Sequence, residues 1–227
     1  MKHHMLRAVF LDRDGVINPL IYHRDAGIVD SPAKVEQFRI VRGVPQAIRR
    51  LNDLGLAVVL VSNQPGIAKG KFSAATLKRM ERKMHAALAA AGAHFDAVYY
   101  CLHHPQARLK RLRRNCRCRK PGIGMLVRAA RELGIELSAS YMVGDGLTDI
   151  EAGTRAGCRT IFVGRWKCEH CQFIQPPGLQ PSFTASDLAE AARIIESDLP
   201  RPRSSPSRPQ QAALMRALSQ APCDSTL

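Results

Sequence analysis

The chain has 227 residues, 45% of them hydrophobic, which is enough for a buried core and excludes wholesale disorder. Its formal net charge of +15 favours polyanionic partners or a phosphorylated substrate, and charge alone does not choose between them. No apolar stretch approaches the ~20 residues of a membrane span, and the N-terminus shows neither an apolar h-region nor a small-residue cleavage site, so a cytoplasmic location is expected.

Residues 5–11, MLRAVFL, are an apolar run that ends abruptly in Asp12-Arg13-Asp14-Gly15, as a buried parallel strand does. Pro45 suits the first position of a helix over 45–54, in which Ile48, Leu51 and Leu54 share a face and which Gly55 can end. LAVVLV, 56–61, reads as the next strand. Ser73 can cap a long helix whose Leu77, Met80, Met84 and Leu88 form one stripe, stopped at Gly92. Core packing accounts for those methionines better than a binding stripe does. AVYY, 97–100, is a third strand, and a helix covers about 123–133. YMVG, 141–144, and TIFVG, 160–164, are two further strands, separated by a helix starting near Thr148. A last helix covers about 187–196.

Strands alternating with helices predict an α/β fold, a three-layer sandwich with a mostly parallel central sheet, over residues 1–198. Such sheets bind ligands beyond the carboxyl ends of their strands. From about Pro200 the composition shifts to Pro, Ser, Arg and Gln. Residues 199–227 therefore read as a mostly disordered tail, with a short helix at about 212–218. The tail holds four arginines and one aspartate, so the body stays strongly basic without it.

The residues that carry chemistry stand at the expected strand ends. Asp12 and Asp14 are two apart on extended backbone, so their side chains point the same way and repel. A divalent cation or a shared proton relieves such a pair, although paired aspartates also cap turns. Val143-Gly144-Asp145-Gly146 ends another strand in a carboxylate, with Asp149 on the next helical turn, where an acid also complements a helix N-terminus. Hard oxygen ligands from two strand ends suit Mg²⁺. Ser62-Asn63-Gln64 offers a hydroxyl, amides and backbone N–H groups to phosphate oxygens. Arg119-Lys120-Pro121 places two cations beside a stiffened turn, a fit for an anionic substrate or simply a solvated surface.

Seven cysteines are an odd count, so a fully paired disulfide scaffold is not expected. Cys101-x-His103 and Cys116-x-Cys118 instead make a Cys₃His set, a standard structural zinc complement. The segment between them carries Lys110, Arg111, Arg113 and Arg114. It cannot build a core of its own, and a zinc staple over 101–118 is expected. Four protein ligands leave no open position, which makes this metal structural. His104 is the competing ligand to His103. Cys168 and Cys171, with His170 between them, have no second pair nearby and read as a surface loop, with a role at a subunit contact as the alternative.

These residues together resemble the haloacid dehalogenase superfamily of phosphohydrolases. Asp12-x-Asp14-Gly15-Val16 is similar to its first motif, Ser62 to its second, Lys120 to its third and Gly144-Asp145-x-x-x-Asp149 to its fourth. LDRDGVIN, VSNQPGIAKGKF, YYCLHHP, CRCRKPGIGM and YMVGDGLTDI narrow the resemblance to the branch of heptose bisphosphate and histidinol-phosphate phosphatases, over about residues 5–165. The resemblance implies Asp12 as nucleophile and Asp14 as general acid and base. It implies Mg²⁺ held by the Asp12 carboxylate, the Asp14 backbone carbonyl and Asp145. Ser62 and Lys120 would hold the phosphoryl oxygens, Asn63 would line the pocket, and Arg119 would recognise the substrate. Cys101, His103, Cys116 and Cys118 match the zinc ligands of the branch. No large cap domain is expected; the zinc loop and the loop after Asp14 would enclose the site.

Two positions depart from the pattern: Gly146 stands where bacterial heptose enzymes carry lysine, and PGIGM (121–125) replaces a proline-rich run. The expected partner is a small phosphorylated sugar and the expected state a monomer. Nucleic-acid binding is the rival class for so basic a chain. At 5% aromatic residues, with no stacking motif or recognition helix, the sequence argues against it.

Overall fold

The apolar runs become the strands of a single sheet. The computed structural model describes residues 5–24, 27–164 and 178–200. In chain order it runs β1 (Ala8–Leu11), β2 (Ile21–His23), β3 (Ile28–Asp30), α1 (Val44–Asp53), β4 (Ala57–Asn63), α2 (Ala74–Ala89) and β5 (Ala97–Cys101). It continues through α3 (Gly124–Leu133), β6 (Tyr141–Gly144), α4 (Leu147–Arg155), β7 (Arg159–Val163), β8 (Phe183–Ala185) and α5 (Leu188–Asp198). Six strands form one sheet in the order β5-β4-β1-β6-β7-β8, and its pairs are parallel.

β4, β1 and β6 lie side by side in the middle of the sheet and are buried almost end to end. That is why they read as unbroken apolar runs rather than alternating ones. Ala8, Phe10, Val59, Val61 and Met142 pack with Met125, Leu126 and Ala129 of α3 in one core cluster. The intervening Val9, Leu11, Val58 and Leu60 are equally buried and, by strand alternation, face the other side. There α1 packs on β4 and against α2, and its buried Ile48 and Leu51 belong to no part of the α3 cluster. Helices therefore cover both faces, as a doubly covered parallel sheet requires. Ser73 accepts a hydrogen bond from the Thr76 N–H at the head of α2, and the stripe Leu77, Met80, Met84, Leu88 is buried as core.

Three short strands have no counterpart in the sequence reading. β2 and β3 form an antiparallel hairpin in which Tyr22 and Val29 are more than half exposed. With three residues per strand and no buried face, no alternation was there to read. β8 is an edge strand of three residues with only Ala185 buried. Lys71, beyond β4, forms an ion pair with Asp30 and ties the hairpin to that loop.

Among the described residues no helix is long and apolar enough to cross a membrane. Residues Met1–Ser197 form one unit and Asp198–Leu227 another, of which only 198–200 are described. The 212–218 helix and the Cys168, His170 and Cys171 group lie outside the described residues.

Candidate active site and candidate metal centre

The carboxyl ends of β4, β1 and β6 meet at one place. Asp12 is the first residue past β1, and its N–H donates to the Val143 carbonyl at 3.0 Å, which ties that strand end to β6. Asp145 is the first residue past β6. The turn after Asp14 passes so close to it that a Cβ on Gly15 would lie 2.1 Å from Asp145 Oδ2. Gly15 also has φ +93°, so glycine is required there on both counts. A Cβ on Gly144 would lie 2.2 Å from that of Asp149, so its absence lets α4 bring Asp149 against the end of β6.

Carboxylate oxygens of Asp12, Asp145 and Asp149 all lie within 4.8 Å of one another. Lys120 reaches into the same cluster. Its Nζ sits 2.9 Å from Asp12 Oδ1 and 2.5 Å from Asp149 Oδ1, and donates to the Val61 carbonyl at 2.7 Å. Burial opposes the charge on Lys120, but Asp12 and Asp149 outweigh it and hold the ammonium above the usual amine range. Burial also pushes Asp149 up to about 7; Lys120 pulls it down, while Asp12 and Asp145 add to the rise.

With Asp149 ionised, three carboxylates against one ammonium leave two negative charges, the charge a divalent cation balances. Asp12 Oδ1 and Asp149 Oδ1 are buried without a well-directed hydrogen bond despite their closeness to Lys120. Orphaned, hard oxygen donors at converging strand ends fit Mg²⁺. Asp149 was read from the sequence as a motif residue and left out of the ligand set. Its spacing of four from Asp145 was the signal that it could return to the same cluster.

The other predicted residues surround this cluster in different ways. The Asp14 carboxylate lies outside it and is engaged by Arg13, Asn18 and Gln64, so any share Asp14 takes in a cation falls to its main-chain carbonyl. Ser62 is buried near the end of β4, where its hydroxyl accepts from Gln64 Nε2 at 3.2 Å. The Asn63 side chain brackets the Lys120 peptide: Oδ1 accepts from the Lys120 N–H at 3.0 Å and Nδ2 donates to its carbonyl at 3.1 Å. Asn63 thus fixes where Lys120 stands. Arg119 is half-buried and donates to the His103 carbonyl at 3.4 Å, which joins the cationic pair to the cysteine loop. Arg13 and Asn18 carried no site role in the sequence reading, and Gln64 entered it only within the Ser62-Asn63-Gln64 run as a contact to phosphate oxygens, not as a partner of Asp14.

The second cluster lies at the end of β5. Sulfur atoms of Cys101, Cys116 and Cys118 stand 3.0 to 3.5 Å apart, and His103 Nδ1 is 3.5 Å from Cys118 Sγ and 3.9 Å from Cys101 Sγ. A tetrahedral zinc with bonds of ~2.3 Å holds its sulfurs only slightly farther apart than this. His104 is turned elsewhere, its Nδ1 accepting from the Gln106 N–H. Burial raises the Cys101 and Cys118 thiols, whereas at Cys116 hydrogen bonds from Cys118 and Cys101 outweigh burial and lower the pKa. Soft donors packed this closely, on a strand end and a charged loop, fit a structural zinc ion.

An open cavity of about 540 Å³ lies apart from both clusters, between α1 and α5, lined by Gln46, Ala47, Arg50, Ala189 and Arg193 among others. Arg50 there is half exposed and paired with Glu196, and the cavity holds none of the groups described above.

A HAD-hydrolase-like family model matches residues 117–191. The D-glycero-beta-D-manno-heptose-1,7-bisphosphate 7-phosphatase of Salmonella typhi is 43% identical over 158 residues, 70% of this chain and 80% of its own length. The enzyme of the same name from Pasteurella multocida is 40% identical over 193 residues, 85% of this chain and 98% of its own. Among solved structures, a D,D-heptose 1,7-bisphosphate phosphatase from B. bronchiseptica, complexed with magnesium and phosphate, matches with a TM-score of 0.69. It is 34% identical, over 85% of this chain and 99% of that one.

Proposed function

This chain belongs to the D-glycero-β-D-manno-heptose-1,7-bisphosphate 7-phosphatase family of HAD-like hydrolases, and from that premise we propose that it hydrolyses the 7-phosphate of a heptose 1,7-bisphosphate through an aspartyl-phosphate. The observation that carries this reading is Asp12 at the end of the central strand, with the Lys120 ammonium 2.9 Å away and two further carboxylates beside it.

A phosphate monoester is a dianion, and an approaching carboxylate is repelled by it. Lys120, fixed by Asn63 and by the Val61 carbonyl, sets a permanent cation where that repulsion arises. Asp12, Asp145 and Asp149, with the Asp14 carbonyl, would hold Mg²⁺, which would supply the rest of the charge neutralisation. An Asp12 carboxylate oxygen attacks phosphorus. The bond from phosphorus to the sugar oxygen breaks, its electron pair stays on that oxygen, and Asp14 gives it a proton. In the second half, Asp14 takes a proton from water as the water oxygen attacks phosphorus. The bond to Asp12 breaks, and inorganic phosphate and the free carboxylate result. Ser62 holds phosphoryl oxygens, and Arg119 faces the more distant part of the substrate.

Every group in this scheme comes from one chain, which supports a monomer as the acting unit. A cytoplasmic setting is supported by the thiol cluster, since thiolate ligands persist where thiols stay reduced. The test is phosphate release from heptose 1,7-bisphosphate, heptose 1-phosphate and histidinol phosphate, each with and without Mg²⁺. Release of one phosphate per bisphosphate, dependent on Mg²⁺, is expected. A preference for histidinol phosphate would overturn the substrate, and full activity of Asp12→Asn would overturn the mechanism.

A further inference from the structure

The carboxylate of Asp14 is held from several directions at once. Arg13 Nε and one terminal nitrogen donate to Oδ1 at 3.2 and 3.0 Å, and the same terminal nitrogen lies 3.1 Å from Oδ2. Asn18 Nδ2 donates to Oδ1 at 2.9 Å, and Gln64 Nε2 donates to Oδ2 at 2.5 Å. The three donors are themselves fixed. Arg13 is 1% exposed, with its guanidinium 5.6 Å from the centre of the Phe38 ring, and Asn18 and Gln64 are as deeply buried. The Gln64 amide nitrogen also reaches Ser62 Oγ, so one side chain touches both the proton carrier and a phosphate-binding hydroxyl.

A buried guanidinium is costly unless paired, and Asp14 is the carboxylate Arg13 pairs with here, through Nε and one terminal nitrogen, while the other terminal nitrogen is buried without a hydrogen bond. We propose that Arg13, Gln64 and Asn18 are positioning residues for Asp14: they hold its carboxylate, in the form left after its proton has gone to the sugar oxygen, outside the Asp12–Asp145–Asp149 cluster and ready for the proton of the attacking water. This rests on the reading of Asp14 as general acid and base. The sequence places Arg13 between the two aspartates, so the strand that presents the nucleophile also presents the counter-charge of the proton carrier. The turn closed by Asn18 N–H and Ile17 N–H on the Arg13 carbonyl, at 3.1 and 2.8 Å, brings Asn18 back onto the same carboxylate.

The test separates leaving groups. A sugar oxygen needs a proton to depart, whereas nitrophenolate leaves without one. With enzyme in excess, the first-turnover release of the sugar product from heptose 1,7-bisphosphate should fall ~10- to 100-fold in Arg13→Met, within the range set by general acid catalysis. Release of 4-nitrophenol from 4-nitrophenyl phosphate in the same first turnover should change by less than about 3-fold, because Asp12 and Lys120 are untouched. Arg13→Lys should recover part of the loss on the sugar substrate. Should Arg13→Met not fold, Asn18→Leu, which removes a donor to Asp14 and touches no phosphate-binding group, should show the same selectivity at lower amplitude. Asp14→Asn is the reference. If it loses both substrates alike, the role of Asp14 itself is wrong. If Asp14→Asn is selective for the sugar substrate while the Arg13 and Asn18 variants lose both substrates alike, or neither, Asp14 keeps its role and the positioning set is overturned.

Discussion

The two ligand clusters of this chain are built from opposite materials. The carboxylates of Asp12, Asp145 and Asp149 stand on the ends of the most buried strands of the sheet, with a lysine already planted among them. The thiols and imidazole of Cys101, His103, Cys116 and Cys118 bridge the end of β5 to a segment whose residues from 108 to 115 are largely exposed and basic. In the first, the fold makes the site, and a cation answers charge the fold has left over. In the second, a metal has to make the fold, because a loop that carries Lys110, Arg111, Arg113 and Arg114 has almost no apolar surface to bury. Removing ligands should therefore cost activity without order at one cluster, and order before activity at the other.

The largest expected effect is Asp12→Asn. Phosphate release should drop by ~10⁴-fold or more, the scale at which loss of a covalent nucleophile reads out. The melting temperature should hold or rise, because one of three crowded carboxylates has been neutralised. A large fall in melting temperature would break the comparison, since the strand ends would then depend on the charge. Lys120→Met comes next, with a loss of ~10² to 10³-fold in kcat, as for other preorganised charges facing a transition state. Here stability should fall too, by ~3–5 kcal/mol, because Asp12 and Asp149 lose the partner of a buried pair. Mg²⁺ should restore part of that stability and little of the rate.

Cys116→Ser should act in the other order. Bound zinc, measured by elemental analysis, should drop with it, and limited proteolysis should open the segment 101–118 while the sheet stays intact. Activity should fall less, by ~10- to 100-fold, the range seen when metal coordination is disturbed. The loss should appear mainly in KM, since Arg119 follows the loop directly and leans on the His103 carbonyl. Equal proteolytic opening in Asp145→Asn would erase the distinction between the clusters.

The sequence made most of this legible, and for identifiable reasons. β1, β4 and β6 were visible because buried parallel strands are uninterrupted apolar runs, and the acids beyond them stood out against that background. The four zinc-type ligands were visible because their spacing is local. The hairpin of β2 and β3 was hidden because three-residue strands with exposed Tyr22 and Val29 carry no period. Arg13 was hidden for a different reason. A charged residue between two acids reads as solvated, and only its burial against Phe38 and its bonds to Asp14 show a buried guanidinium paired with that carboxylate. The bonds of the Asn63 amide to the Lys120 peptide were hidden as well, because they join positions 57 apart in the sequence.

The smallest effect is also the most direct probe of what the carboxylate cluster lacks without its cation. Burial, with Asp12 and Asp145 adding to it, sets Asp149 at about 7 against the downward pull of Lys120. An unfolded aspartate titrates near ~3.9, so between these values the folded chain binds more protons at this group than the unfolded chain does. Stability contributed here is therefore fully present below the unfolded value and is lost as pH rises through about 7. Mg²⁺ requires the ionised carboxylate, so it competes with protons below that point and binds freely above it. In the zinc-loaded protein, the rise in melting temperature on adding Mg²⁺ should accordingly be small at pH 6 and grow by a few degrees, ~2–4 °C, at pH 8. Asp149→Asn should flatten that dependence while leaving the zinc content unchanged. A Mg²⁺ increment identical at both pH values in the unsubstituted protein would mean that Asp149 stands beside the cation without answering to it, and the cluster would shrink to Asp12, Asp145 and the Asp14 carbonyl.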